Sequence, residues 1–243
     1  MPAVTDRRYV LELPVDPLPM NQALARVEQA IDERAPLQIV TLNAEMSMQA
    51  IENPPLGAVI KNCGLVVPDG SGVVWALKRQ GVDTPKVAGV DLVRGMAEQA
   101  AQKGHKLFLL GAKPGVAAEA AQALQASYPG LNIAGVRDGY FKPEDEPALF
   151  DEIRRAAPDI LLVALGVPRQ ELWIAEHQQA LGVPVAMGVG GSFDVFAGRV
   201  QRAPEAFQKL HLEWLYRLIQ EPWRFQRMQS TLPRFVGEVL KRG

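Results

Sequence analysis

The run Asp159-Ile160-Leu161-Leu162-Val163-Ala164-Leu165, bounded by Pro158 and Gly166, is the feature that most limits how this chain can fold. Its apolar residues are continuous rather than alternating, as in a parallel strand buried on both faces, and parallel strands need crossover helices to cover them. Leu65 to Pro68, Lys106 to Leu110 and Val183 to Gly188 repeat the pattern, and Tyr9 to Val15, Leu37 to Thr41 and Leu131 to Val136 read as further strands. Between them runs helical spacing, as at Leu24, Val27 and Ile31 within Met20 to Glu33. The expected fold is α/β: a Rossmann-like, mainly parallel sheet with helices on both faces. It divides into an N-terminal lobe over 1–103, a nucleotide-binding lobe over 104–200 and a helical basic appendage over 201–243.

Charge narrows the function. A formal net charge of −1 argues against a nucleic-acid binder, which needs cationic excess to displace counterions. From Arg199 onward, however, nine basic residues face four acids, so the end of the chain is +5 and the remainder −6. Such asymmetry suits an anionic partner, or a tail folded back over an acidic body. The single cysteine, Cys63, forms no internal disulfide and reads as a small buried residue in a reducing compartment. Met1 to Arg8 holds no apolar core of a signal peptide, and no eighteen apolar residues run together, so the expectation is a soluble or peripheral protein.

Polar residues collect where strands end. Leu65-Val66-Val67-Pro68-Asp69-Gly70-Ser71-Gly72 leaves one carboxylate, Asp69, at the carboxyl edge of the sheet, where open α/β folds bind ligands. Asp69 is either a general base or the cap of the helix that follows. Thr41 and Asn43 likewise either cap a helix or face a ligand beside Asp69, and Asp91 reads as a helix cap. Gly111-Ala112-Lys113-Pro114-Gly115 joins a strand to a helix and can aim backbone N–H groups at a phosphate, although it has neither the dinucleotide fingerprint nor a Walker loop. Tyr140 and Phe141 can stack on a base or pack in a loop, and Gln170, in Pro168-Arg169-Gln170-Glu171, can bond a sugar or phosphate. Gly190-Gly191-Ser192-Phe193-Asp194 places an acid where ribose hydroxyls or a base N–H could be bound. Arg217, Arg224 and Arg227 lie among Trp214, Tyr216 and Trp223, a composition suited to an anionic membrane surface or a diphosphate.

In this order, Thr41-Leu42-Asn43, Pro68-Asp69-Gly70-Ser71-Gly72, Gly89-Val90-Asp91, Gly166-Val167-Pro168-Arg169-Gln170-Glu171, Gly188 to Asp194, Arg202-Ala203-Pro204 and Glu213-Trp214-Leu215-Tyr216-Arg217 resemble the WecG/TagA/CpsF family of bacterial glycosyltransferases. The resemblance spans Tyr9 to Arg227. It implies inverting, metal-independent transfer from a UDP-sugar to a polyprenyl-diphosphate-linked saccharide, at the inner face of the cytoplasmic membrane, in surface polysaccharide synthesis. The donor sugar would be N-acetylmannosamine, its uronic acid or a hexose. No cofactor and no nucleic acid are implied, self-association is, and the chain carries no Asp-x-Asp motif. By the same resemblance Asp69 is the general base, Thr41 a sugar contact with Asn43 in the same motif, and Gln170 the active-site glutamine. Tyr140 and Asp194 fall where uridine is expected, and Arg217, Arg224 and Arg227 in an appendage that closes over the site at the membrane. Where many relatives carry arginine before the Gly89 loop, this chain has Lys86, which keeps the charge without the bidentate fork. The competing readings are another Rossmann-type nucleotide enzyme and a non-catalytic membrane scaffold.

Overall fold

The computed structural model describes residues 7–201, 203, 204, 207, 216 and 224–242. The segment expected as one strand over Tyr9 to Val15 is instead a hairpin, β1 (Arg8–Val10) and β2 (Leu13–Val15), which pair antiparallel. Leu11 and Glu12 make its turn with φ of 52° and 65°. Two consecutive left-handed residues match the twist of paired strands, but the usual Gly or Asn signal is missing. Packing substitutes for it, since Val10, Leu11, Leu13 and Val15 are all buried. Asp16 then ties the hairpin to the sheet: its N–H donates to Val66 O at 2.7 Å, its carboxylate accepts the Val66 N–H at 2.8 Å, and Arg7 grips the same carboxylate at 2.9 and 3.0 Å.

The main sheet holds β3 (Leu37–Leu42), β4 (Leu65–Pro68), β5 (Lys106–Gly111), β6 (Asn132–Arg137), β7 (Ile160–Ala164) and β8 (Val185–Gly188). Their order is β4-β3-β8-β7-β5-β6 and every pairing is parallel. Alternate residues feed opposite cores. On one side Ile39, Val67, Leu109, Leu162 and Met187 meet α1 (Met20–Asp32), α5 (Gly89–Lys103), α6 (Val116–Ser127) and α9 (Ser192–Phe196). On the other, Val40 and Val66 meet α2 (Ala44–Glu52), α3 (Pro54–Asn62) and α4 (Ser71–Arg79), while Leu110, Leu161 and Ala186 meet α7 (Glu146–Ala156) and α8 (Arg169–Leu181). Helices on both faces of a parallel sheet are what the continuous apolar runs required. Cys63 is buried, and burial pushes its thiol up to about 12, so it packs as a small apolar residue.

Helix α10 (Arg224–Arg242) lies against α2 and α4. Phe235 is fully buried there and Val239 nearly so, while Arg234 pairs with Glu52 at 2.7 Å and Arg242 with Glu12 at 2.8 Å. This part of the basic segment is folded back over acidic body residues, the second of the two options its charge left open.

Candidate active site

Because all six strands run parallel, their carboxyl ends share one edge, roughly 24 Å wide at about 4.8 Å per strand. Along it, in sheet order, stand Asp69 after β4, Thr41 and Asn43 at the end of β3, Asp194 after β8, Gln170 after β7, the Gly111 to Gly115 turn after β5 and Tyr140 after β6.

Asp69 does not cap the helix that follows it. The N-cap of α4 is Gly70, at φ 90°, with no side-chain cap bond. The Asp69 N–H donates to Leu42 O at 2.8 Å, and its carboxylate accepts the Gly89 N–H at 3.4 Å, at the start of α5. A helix N-terminus is a favourable place for a negative group. A β-carbon built on Gly89 would lie 3.3 Å from Thr41 Oγ1 and 3.7 Å from Asp69 Oδ2, so hydroxyl and carboxylate converge on one point. Asn43 takes the structural option, since its Oδ1 accepts the Met46 N–H at 2.9 Å and caps α2. Lys86 is brought to the same strand end, because the neighbouring Val87 N–H donates to Pro68 O at 2.8 Å. Asp91 is not the cap of α5; Ala88 holds that position, and Asp91 sits in the first turn, 3.6 Å from Arg94.

The second focus lies between β5 and β7. The chain leaves β5 toward β6 and leaves β7 toward β8, so the connections diverge there and open a crevice, the usual ligand position in such sheets. Gly111, at φ 120°, brings its backbone against Ala164 so closely that a β-carbon would collide with the Ala164 carbonyl. Gly115, at φ 87°, caps α6, and Lys113 is exposed between the two glycines. Arg199 grips Glu119 on α6 through two bonds of 2.8 Å, beside Gly115. Asp194, on α9, accepts the Arg199 N–H at its main-chain carbonyl at 2.9 Å, and its charge raises the Arg199 pKa further. Asp194 and the Gly111 to Gly115 turn are therefore linked through Arg199 and Glu119. Tyr140, 71% exposed, stands on the far side of β5, its N–H bonded to Asp138 Oδ1 at 2.9 Å.

Gln170 is buried, with 2% exposure, and its polar groups meet protein. Its Oε1 accepts the N–H of Gly166 and of Gly190, both at 3.1 Å, and its Nε2 donates to Glu171 Oε1 at 2.7 Å. Sequence reasoning passed over Glu171 as one more residue of a helix's first turn. What marks it is Gly188 on β8, where a β-carbon would fall 2.5 Å from Gln170 Nε2 and 2.6 Å from Glu171 Oε1. Only the three-dimensional packing reveals that facing. Burial pushes the Glu171 carboxyl up from 4.5 to about 7, opposed by the Gln170 bond. Below about pH 4.5 the group is protonated in folded and unfolded chains alike, and its contribution to stability is complete. The contribution is lost as pH rises to about 7, a fall of roughly 3 kcal/mol. Glu171→Gln removes this component, so its urea midpoint gains on the wild type between those pH values; a constant gap would contradict the assignment.

Arg224 and Arg227 belong to the backbone of α10, whereas Arg217 lies outside the described residues. Among the described residues no helix is long and apolar enough to cross a membrane.

The glycosyl transferase WecG/TagA/CpsF family model matches residues 8–243, nearly the whole chain. The chain belongs to this family. A protein of Bacillus spizizenii named N-acetylglucosaminyldiphosphoundecaprenol N-acetyl-beta-D-mannosaminyltransferase is 42% identical over 212 residues, which cover 87% of this chain and 81% of the relative. This WecG/TagA/CpsF chain is a glycosyltransferase.

Proposed function

We propose that the enzyme transfers a sugar from a UDP-sugar to a saccharide carried on polyprenyl diphosphate, by a single inverting displacement without a metal. N-acetylmannosamine is the first donor to test, because the Bacillus relative's name specifies that transfer. One observation carries the reading: the Asp69 carboxylate and the Thr41 hydroxyl converge at one end of an edge whose crevice lies three to four strands away. That separation suits a donor with its nucleotide in the crevice and its sugar pointing toward Asp69.

The acceptor hydroxyl gives its proton to Asp69 as its oxygen bonds to the anomeric carbon, and UDP departs with the electron pair of the broken C–O bond. A positioned base of this kind is worth about 10² to 10⁴ in rate. The departing β-phosphate leaves within one sugar's reach of Asp69 and Lys86, while the start of α6 and Lys113 hold the far end of UDP. Thr41 orients the sugar, Lys86 supplies positive charge beside Asp69, and Tyr140 and Asp194 border the nucleoside. A lipid-carried acceptor restricts turnover to the inner face of the cytoplasmic membrane, where the enzyme works as a peripheral protein and the positive charge of its basic segment, Arg217, Arg224 and Arg227 included, is attracted to anionic headgroups. The test is UDP release from a panel of UDP-sugars with and without a short-chain polyprenyl-diphosphate saccharide. Release that needs the acceptor with one donor is expected; release from no donor, by protein that remains folded, would overturn the reading.

A further inference from the structure

Gln170 and Glu171 form a buried polar pair at the carboxyl edge of the sheet. Glu171 is 2% exposed, its Oε1 accepts one bond from Gln170 Nε2 at 2.7 Å, and its Oε2 is buried with no hydrogen-bond partner among the described residues. Exchanging both members of a buried polar pair for apolar side chains of similar volume is commonly neutral or stabilising. Packing alone therefore gives no reason for a carboxyl here.

The reason lies in which way Gln170 faces. Its single carbonyl oxygen receives two backbone N–H groups, from Gly166 after β7 and from Gly190 after β8. A side-chain amide has two orientations of nearly identical shape. Reversed, Gln170 would point its NH₂ at two N–H donors and its carbonyl at the Glu171 carboxyl. Glu171 accepts from the NH₂ and so holds the carbonyl toward the two loops. Gly188 leaves room for the pair beneath them. One of these loops borders the β5–β7 crevice and the other leads into α9, which bears Asp194.

We propose that Glu171 is a positioning residue: through Gln170 it locks the Gly166 and Gly190 loops into the arrangement that binds the donor nucleotide. The lock is a property of this fold, and its link to the nucleotide rests on the proposed function.

The experiment uses the full chain and the variants Glu171→Met and Glu171→Gln, reading thermal stability, backbone amide exchange at Gly166 and Gly190, and UDP affinity. Glu171→Met leaves the buried Gln170 NH₂ without its acceptor and melts below the wild type; beyond that global loss both glycine amides exchange about tenfold faster, as for a lost hydrogen bond, while amides elsewhere in the sheet do not, and UDP binds about tenfold more weakly. Glu171→Gln restores exchange and affinity to within about threefold, because its own carbonyl still accepts from Gln170. Unchanged exchange in Glu171→Met, or a Glu171→Gln as impaired as Glu171→Met, overturns the lock. If Glu171→Met does not fold, Gln170→Glu and the swapped double variant Gln170→Glu/Glu171→Gln decide the matter. The swap recreates one donor facing one acceptor, so it recovers the protection that Gln170→Glu loses, and failure to recover it overturns the proposal. A wild type whose glycine amides are protected but which binds no UDP refutes the donor reading and leaves the lock decided by exchange alone.

Discussion

Asp69→Asn is expected to lower kcat by about 10² to 10⁴ while leaving UDP affinity within about threefold of wild type. The separation of the two effects follows from geometry. The asparagine carbonyl can still accept the Gly89 N–H that Asp69 Oδ2 now holds at 3.4 Å, and the Asp69 N–H still donates to Leu42 O, so the end of β4 and the start of α5 keep their contact. What disappears is the capacity to take a proton. The proposed nucleotide crevice lies between β5 and β7, on the far side of β3 and β8 from Asp69, and the substitution does not touch it. Steady-state kinetics with saturating acceptor, alongside calorimetric UDP titration, check both halves. Turnover near the wild-type value would remove Asp69 from the base role. Loss of UDP binding in a folded variant would mean that the donor extends along the edge to β4.

Phe235→Ala is expected to detach α10. Phe235 is fully buried, and its ring lies within 3.4 Å of where a β-carbon on Gly72 would sit, so α10 is pinned beside the turn that follows Asp69. Truncating a buried phenylalanine to alanine costs about 3 to 5 kcal/mol, more than exposed ion pairs such as Arg234 with Glu52 or Arg242 with Glu12 can offset. The helix should release while the sheet, two of whose three core clusters hold no described residue of α10, stays folded. Limited proteolysis is expected to cut within Arg224–Arg242 first, and transfer to a lipid-linked acceptor to fall at least tenfold while UDP binding persists. If the whole protein unfolds in one transition, α10 is part of the core. If transfer is unaffected despite cleavage, the helix has no part in acceptor use.

The fold was legible where hydrophobic pattern carried it. Continuous apolar runs at β4, β5, β7 and β8 located the parallel sheet, and the polar residues after them fall at its carboxyl edge. The hairpin escaped because Leu11 and Glu12 adopt left-handed geometry without the usual Gly or Asn, in a turn flanked by the buried Val10, Leu11 and Leu13. The start of α5 was misplaced by three positions because it was inferred from a capping side chain, Asp91, and the helix is capped by Ala88 without one. Strand order was out of reach as well. That β8 lies between β3 and β7, setting Asp194 toward the middle of the edge, depends on pairings between residues more than a hundred positions apart, such as Leu37 with Val185. The same non-local packing hid Glu171, whose significance depends on Gly188, Gly166 and Gly190 meeting around it.

The central claim is a single displacement with Asp69 as base, and the anomeric configuration of the product tests it most directly. Proton NMR of the saccharide formed from an α-linked UDP-sugar should show a β linkage, with no sugar attached to the protein when the acceptor is withheld. An α-linked product would require a second displacement or a front-face route, and either would contradict the account.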